Sequence, residues 1–166
     1  MALDSGRPVV YLATMARIAQ DQELDERIDR HCGRRPASWQ TVEEPLMPER
    51  VIGGIEHGRL VLIDCLSLYV SNLLLSMPYA MENSQVRREL EDNVLKEVDS
   101  FFASMAARQD LSFILVSNEV GSSIVPDNHL ARTYRDLLGV ANQKAAAAAA
   151  QVYLCVSGLS LKLKPQ

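Results

Sequence analysis

Four short apolar runs along the chain predict β-strands. They lie at residues 8–14, 59–64, 111–117 and 151–157, and each ends in small or polar residues. Runs of this length without polar alternation are typical of strands that are covered on both faces. We therefore expect four buried strands, with Cys65 and Cys155 as core residues.

Between these strands the apolar positions recur every three or four residues, which predicts helices. The clearest pattern covers residues 86–105, and two others cover 66–77 and 128–150. Strands that alternate with helices indicate an α/β fold, a mostly parallel sheet with helices on both faces.

The end of the chain has a different pattern. Residues 159–164 alternate apolar and polar side chains after Gly158, which predicts a half-exposed antiparallel edge strand. Neither an internal repeat nor a linker composition interrupts the chain. Residues 1–166 are therefore expected to form a single α/β domain of the nucleotide-binding type.

Composition excludes several classes of protein. With 48% apolar and 23% charged residues the chain is globular, and with a net charge of −4 and scattered cations it has no basic surface for nucleic acid. No apolar stretch approaches the roughly 20 residues of a membrane span. The first residues lack the features of a signal peptide, so we expect a cytoplasmic protein with reduced thiols.

The residues just after the strands are the first candidates for chemistry, because ligands of open parallel sheets bind beyond the carboxyl ends of the strands. Asp64 ends the second run, where nucleotide enzymes place a carboxylate that holds Mg²⁺. The alternative is that Asp64 caps the helix beginning at Leu66. Glu119 is a second, weaker candidate acid.

Residues 21–36 form a polar segment with a helical pattern that ends near Gly33 and Pro36. His31 falls in its last turn, with Arg34 and Arg35 just beyond. A neutral imidazole beside guanidinium groups can attack the α-phosphorus of a nucleotide. The alternative is a solvated charged helix with a surface histidine.

Two glycines resemble part of a glycine-rich phosphate loop. Gly53 and Gly58 have the spacing of such a loop, but Arg59 and Leu60 stand where it needs a lysine and a hydroxyl residue. Gly58 also precedes a predicted strand, whereas the loop follows one and opens a helix. We interpret this match as accidental.

Several short motifs together resemble one family in their order and spacing. The resemblance covers nearly the whole chain, and its motifs lie at residues 10–14, 27–31, 35–39, 62–66, 72–74, 117–121, 124–128, 130–132, 134–136, 140–143 and 156–158. The family is the bifunctional adenosylcobinamide kinase and adenosylcobinamide-phosphate guanylyltransferase of coenzyme B12 synthesis.

The resemblance implies a P-loop fold of RecA-like character, a homotrimer, and two reactions. The first phosphorylates adenosylcobinamide and the second transfers GMP to adenosylcobinamide phosphate, with ATP and GTP as substrates and Mg²⁺ as the cofactor. The transfer passes through a guanylylated histidine, and His31 stands at that position. Asp64, the tentative Mg²⁺ ligand, stands where some members have glutamate. The nucleotide-binding positions implied are Ala13, Thr14, Met15, Cys32, Gly33, Arg34, Arg35, Glu43 and Asp64.

The sequence departs from the family in one respect. Family members begin with a strand, a P-loop and its helix, and this chain begins at Met1 just before the position of their second strand. Without that strand, apolar neighbours in the sheet are expected to be exposed, and the kinase step is expected to suffer at least as much as the transfer. The alternative function is therefore a truncated or degenerate, inactive member that acts as a binding or subunit-interaction module.

Overall fold

The computed structural model of the chain describes residues 2–15, 26, 29–30, 32–33, 35–78 and 84–165. Its main element is a parallel sheet of four strands in the order β2-β1-β3-β4. The α/β prediction with a mostly parallel sheet is confirmed. The strands are β1 (Val9–Ala13), β2 (Gln40–Glu43), β3 (Leu60–Asp64) and β4 (Ser112–Val116).

Helices flank this sheet, after a short 3₁₀-helix at Leu3–Ser5. The three long helices match the predicted segments, and the last is capped by Asn128, whose side chain accepts a hydrogen bond from the Ala131 N–H at 3.2 Å. No helix in the described part of the chain is long and apolar enough to cross a membrane. The helices are α1 (Pro48–Gly54), α2 (Leu66–Ser76), α3 (Ser84–Ala107) and α4 (His129–Ala148).

The hydrophobic core lies between the sheet and these helices. Helix α4 packs against α2 and α3, and α1 packs against α3. At the centre the rings of Tyr69 and Phe101 meet edge to face, with centroids 5.2 Å apart, a favourable geometry for an aromatic pair. The fully buried side chains of the core include Leu12, Ile52, Val61, Ile63, Leu66, Tyr69, Val70, Val94, Val98, Phe101 and Leu138.

Two elements were not predicted from the sequence. Strand β2 has the sequence Gln-Thr-Val-Glu and is largely exposed at the edge of the sheet, so it lacks the apolar run of a buried strand. Helix α1 has seven residues and begins with Pro48, too short to show a helical repeat. Both are positioned by tertiary contacts with longer elements.

The fourth predicted strand is corrected by the structure. Strand β5 (Val152–Val156) does not join the parallel sheet but pairs with β6 (Leu159–Lys164) in a separate antiparallel hairpin. Because β5 has one neighbour and no covering layer, Cys155 is exposed and not part of the core. The predicted antiparallel strand after Gly158 is confirmed, and both Ser157 and Gly158 have the positive φ of a tight hairpin turn.

Strand β4 is also less buried than its apolar sequence predicts. It pairs with β3 on one side, and no described strand pairs with its other edge. Its residues are half-buried, and Val116 at its end is 41% exposed. Cys65, in contrast, is buried as predicted.

A charged cluster near the amino ends of the strands joins α1 to the turn before β4. Arg108 donates two hydrogen bonds to the Asp110 carboxylate, at 2.9 and 2.7 Å, and others to the carbonyls of Ile52 (2.6 Å) and Ile55 (2.7 Å). Guanidinium groups at this position satisfy the carbonyls that a helix leaves unpaired at its end. The hydrogen bonds from Arg108 are the main reason that the pKa of Asp110 falls to about 2.

We expect Asp110→Asn to lower the urea midpoint of unfolding at neutral pH. A carboxyl group whose pKa is lower in the folded than in the unfolded protein stabilises the fold when the pH is above the unfolded pKa, here 3.8. This contribution is lost as the pH falls towards the folded pKa of about 2. The difference between wild type and variant should therefore be constant from pH 7 to about 5 and shrink below pH 4. Midpoints measured between pH 3 and 7 check this, with Asp136→Asn as the control. A difference that is constant down to pH 3 contradicts the account.

Candidate functional site

The carboxyl ends of three neighbouring strands bring several predicted site residues together. The register places Ala13 beside Glu43 on one side and beside Asp64 on the other. Thr14 then ties β1 to β3. Its N–H donates to the Asp64 carbonyl at 3.0 Å, and its hydroxyl donates to the Cys65 carbonyl at 2.7 Å while accepting from the Cys65 N–H at 2.8 Å. Thr14 is buried, so its side chain holds the loop and is not open to a ligand.

A second group of side chains surrounds the Asp64 carboxylate. The Tyr11 phenol donates a hydrogen bond to Asp64 Oδ2. The Arg35 guanidinium lies over the Tyr11 ring, 3.5 Å from its centroid, and Trp39 stacks with the same ring at 6.4 Å between centroids. We call Tyr11, Arg35, Trp39 and Asp64 the strand-edge cluster. It joins Asp64 to the segment that follows His31 in the sequence.

The environment of Tyr11 keeps its phenol protonated. Burial is the first cause that raises the pKa of Tyr11 above its usual range, and the hydrogen bond to Asp64 is the second. The positive charge of Arg35 opposes this rise but does not cancel it. Tyr11 is therefore a hydrogen-bond donor to the carboxylate throughout the working pH range.

The structure tests the interpretation of Asp64 as the cap of helix α2. Helix α2 has Cys65 at its N-cap, and no side chain makes a capping hydrogen bond there. The Asp64 carboxylate is half-buried and is held by Tyr11 from the neighbouring strand. The helix-cap interpretation is wrong.

Asparagine side chains fix the loops around this edge. The Asn72 amide donates to the carbonyl of Thr14 at 2.6 Å and to that of Pro45 at 3.1 Å, so α2 holds the loops after β1 and β2. On the β4 side, the Asn142 amide donates to the Asn118 carbonyl at 3.0 Å, and the Asn118 amide donates to the Ser67 hydroxyl at 2.9 Å. The site is thus framed by side chains from α2 and α4.

Glu119, the second candidate acid, does not reach Asp64 through a hydrogen bond. Its carboxylate accepts a hydrogen bond from the Gly121 N–H at 2.8 Å within an exposed loop. This contact stabilises the loop after β4. The accidental glycine match is also confirmed as such, since Gly53 lies in α1 and Gly58, with φ +76°, forms the turn before β3.

Four further predicted site residues lie within the described part of the chain. Cys32 is half-buried and Gly33 is exposed, and the Gly33 N–H donates to the Asp29 carbonyl at 2.8 Å. Glu43 is exposed at the end of β2, and Met15 is half-buried after Thr14. His31 and Arg34 lie outside the described residues.

The donors at this edge suit a particular kind of metal site. The described residues contain no group of three or more histidine, cysteine or acidic side chains that could hold a metal ion by themselves. A single carboxylate at a strand end fits Mg²⁺, which proteins commonly bind through one or two carboxylates together with substrate phosphates and water. Asp64 therefore fits a magnesium ion that arrives with a nucleotide.

A comparison with known families identifies one whose model matches the chain. The family model described as cobinamide kinase / cobinamide phosphate guanyltransferase matches residues 1–163. The chain belongs to this family. The resemblance carried by the short motifs is therefore confirmed across nearly the whole chain.

Curated relatives of this cobinamide kinase / guanyltransferase family have similar sequences. The bifunctional adenosylcobalamin biosynthesis protein CobP of Pseudomonas aeruginosa is 38% identical over 165 residues, which are 99% of this chain and 87% of the relative. The CobU proteins of Escherichia coli K12 and Salmonella typhimurium LT2 are 36% and 33% identical, and each alignment covers 94% of this chain and 86% of the relative.

Sequence reasoning missed two residues of the candidate site. Tyr11 and Asn72 both fell within the motifs of the resemblance, but neither was given a role. A tyrosine in an apolar run is usually a core residue, and the signal that it reaches a carboxylate exists only after β1 and β3 are paired. Asn72 is a polar residue inside the apolar pattern of α2, and this was the available signal in the sequence. Its contacts with two loops are seen only in the structure.

Proposed function

We propose that this chain catalyses the two reactions in its family's name, phosphorylation of adenosylcobinamide and transfer of GMP to adenosylcobinamide phosphate. The observation that carries the proposal is the strand-edge cluster, in which Tyr11 connects a carboxylate for a nucleotide-bound cation to Arg35 and Trp39, which follow His31 in the sequence. ATP and GTP are the nucleotide substrates. A homotrimer and a cytoplasmic location belong to the same proposal.

The transfer takes place in two displacements. A ring nitrogen of His31 attacks the α-phosphorus of GTP, a P–N bond forms, and the bond to the β-phosphate oxygen breaks to release pyrophosphate. A phosphate oxygen of adenosylcobinamide phosphate then attacks the same phosphorus and breaks the P–N bond. The product carries a pyrophosphate link between the corrinoid and guanosine, and His31 is regenerated.

The other residues bind and orient the nucleotide. Arg34 and Arg35 hold phosphate oxygens, since guanidinium groups match their geometry and charge. Asp64 would hold Mg²⁺ together with these oxygens, and the bound ion would supply positive charge beside the leaving group. Ala13, Met15 and the backbone of Thr14 form the wall of the site after β1. Cys32, Gly33 and Glu43 complete the proposed contacts.

The direct test is a product assay with the purified chain. Incubation with adenosylcobinamide phosphate, GTP and Mg²⁺ should yield the guanosine-linked corrinoid and pyrophosphate in equal amounts, and ATP with adenosylcobinamide should yield the phosphorylated corrinoid. Binding of nucleotide without either product would instead support the inactive binding module. A folded chain that shows neither nucleotide binding nor product would contradict the proposal.

A further inference from the structure

Tyr11 lies where it can act on both charged side chains of the strand-edge cluster. The register pairs Tyr11 with Leu62 on β3 and with Thr41 on β2. Side chains alternate along a strand, and paired residues of neighbouring strands point to the same side, so Tyr11 and Asp64 share one face of the sheet. The phenol therefore reaches forward along β3 to the carboxylate that ends it.

The hydrogen bond leaves the Asp64 carboxylate in a defined state. Oδ2 accepts from Tyr11, and Oδ1 makes no hydrogen bond to another described residue. A carboxylate fixed through one oxygen presents the other in a single direction, and hydrogen-bond partners of metal ligands generally orient them in this way. The donor comes from β1, whose five residues are all buried, so its position is rigid.

The ring of the same tyrosine supports Arg35. The guanidinium lies 3.5 Å from the ring centroid, within the range of a cation–π interaction, and it also donates to the Thr41 hydroxyl at 3.3 Å. These two contacts hold Arg35 on the same side of the sheet as Asp64. One side chain thus sets the distance between a negative and a positive group of the site.

We propose that Tyr11 is a positioning residue of the transfer reaction, whose hydroxyl orients Asp64 towards the nucleotide-bound cation and whose ring holds Arg35 against the nucleotide phosphates. This inference rests on the proposed function. The two roles belong to different atoms of one side chain, so two substitutions separate them.

Tyr11→Phe removes the hydroxyl and keeps the ring. We expect kcat of the transfer to fall about tenfold to a hundredfold, with the Mg²⁺ concentration for half-maximal rate raised and KM for GTP nearly unchanged. Tyr11→Leu removes the ring as well, and KM for GTP should rise in addition because Arg35 loses its support. A role confined to stability would not separate kcat from KM in this way.

Binding gives a readout that does not depend on turnover. Trp39 is the single tryptophan of the chain and stacks with Tyr11, so its fluorescence reports on the cluster directly. Titration of GTP at fixed Mg²⁺ concentrations should show that Tyr11→Phe needs about tenfold more Mg²⁺ for the same affinity. The control is Tyr153→Phe, which removes a phenol that donates to Gln151 at 3.2 Å in the distant hairpin.

The outcomes separate this inference from the proposed function. If wild type forms no product, but the Mg²⁺ concentration needed for GTP binding shifts in Tyr11→Phe, the proposed reaction is overturned and the positioning role is kept. Product formation with the same kcat and Mg²⁺ dependence in both proteins would overturn the positioning role alone. GTP binding by wild type that is independent of Mg²⁺ would overturn it as well. Thermal denaturation of each variant confirms that the comparison is made between folded proteins.

Discussion

Asp64→Ala is expected to lower kcat of the transfer by about a hundredfold to a thousandfold, the cost of losing one preorganised charged group at a phosphoryl site. The carboxylate ends β3, whose apolar residues Leu60, Val61 and Ile63 are buried, so its position is set by the sheet before the nucleotide arrives. Steady-state rates at saturating GTP and Mg²⁺ measure the effect.

Two further variants make this test specific. Asp64→Glu keeps a carboxylate, and glutamate is the residue that some family members are expected to have at this position. This variant should retain more activity than Asp64→Ala. Asp99→Ala removes an exposed aspartate that pairs with Lys144 at 2.6 Å between helices, and it should leave the rate unchanged. Less than a tenfold loss in Asp64→Ala, with the protein folded, would remove Asp64 from the proposed reaction.

Leu74→Ala is expected to destabilise the protein by about 2 to 5 kcal/mol, the range for removing a buried leucine side chain. Leu74 is 2% exposed and belongs to the core between α2 and its neighbours. For a domain of this size, about 3 kcal/mol corresponds to a fall in Tm of roughly 6 to 12 °C. Thermal unfolding followed by circular dichroism measures it.

The next residue of the same helix provides the control. Leu75 is 68% exposed, so Leu75→Ala makes the same chemical change without opening a cavity and should alter stability by less than about 0.5 kcal/mol. Equal losses of stability in the two variants would show that α2 does not pack as described. The pair also tests the placement of Asn72, which lies in the same helix and holds the loops of the site.

Periodicity along the sequence predicted the parts of the fold that bury large apolar faces. Helices α2, α3 and α4 and strands β1, β3 and β4 were found because each repeats apolar residues over a full element. Strand β2 and helix α1 were not found, since their few residues are ordered mainly by neighbours. Strand β5 was found but misplaced, because an apolar run does not reveal which partner the strand will have.

The candidate site shows the same limit at the level of single residues. Asp64 was predicted because the ends of parallel strands are known positions for ligands. The contact of Tyr11 with Asp64 and Arg35 was not, because it joins positions 53 and 24 residues away in the sequence. The role of His31 as the nucleophile remains a prediction from the resemblance. The same holds for the nucleotide contacts of Cys32, Gly33 and the other proposed residues.

The covalent intermediate offers the most direct test of the proposed reaction. The purified chain would be incubated with Mg²⁺ and GTP labelled at the α-phosphate, and the protein would be examined for bound GMP that is released by acid and stable to base. His31→Ala removes the proposed nucleophile, and His57→Ala removes a histidine that is paired with Asp110 at the far end of the sheet. The account predicts label on wild type and on His57→Ala and none on His31→Ala. Label that persists in His31→Ala, or no label on folded wild type, would contradict it.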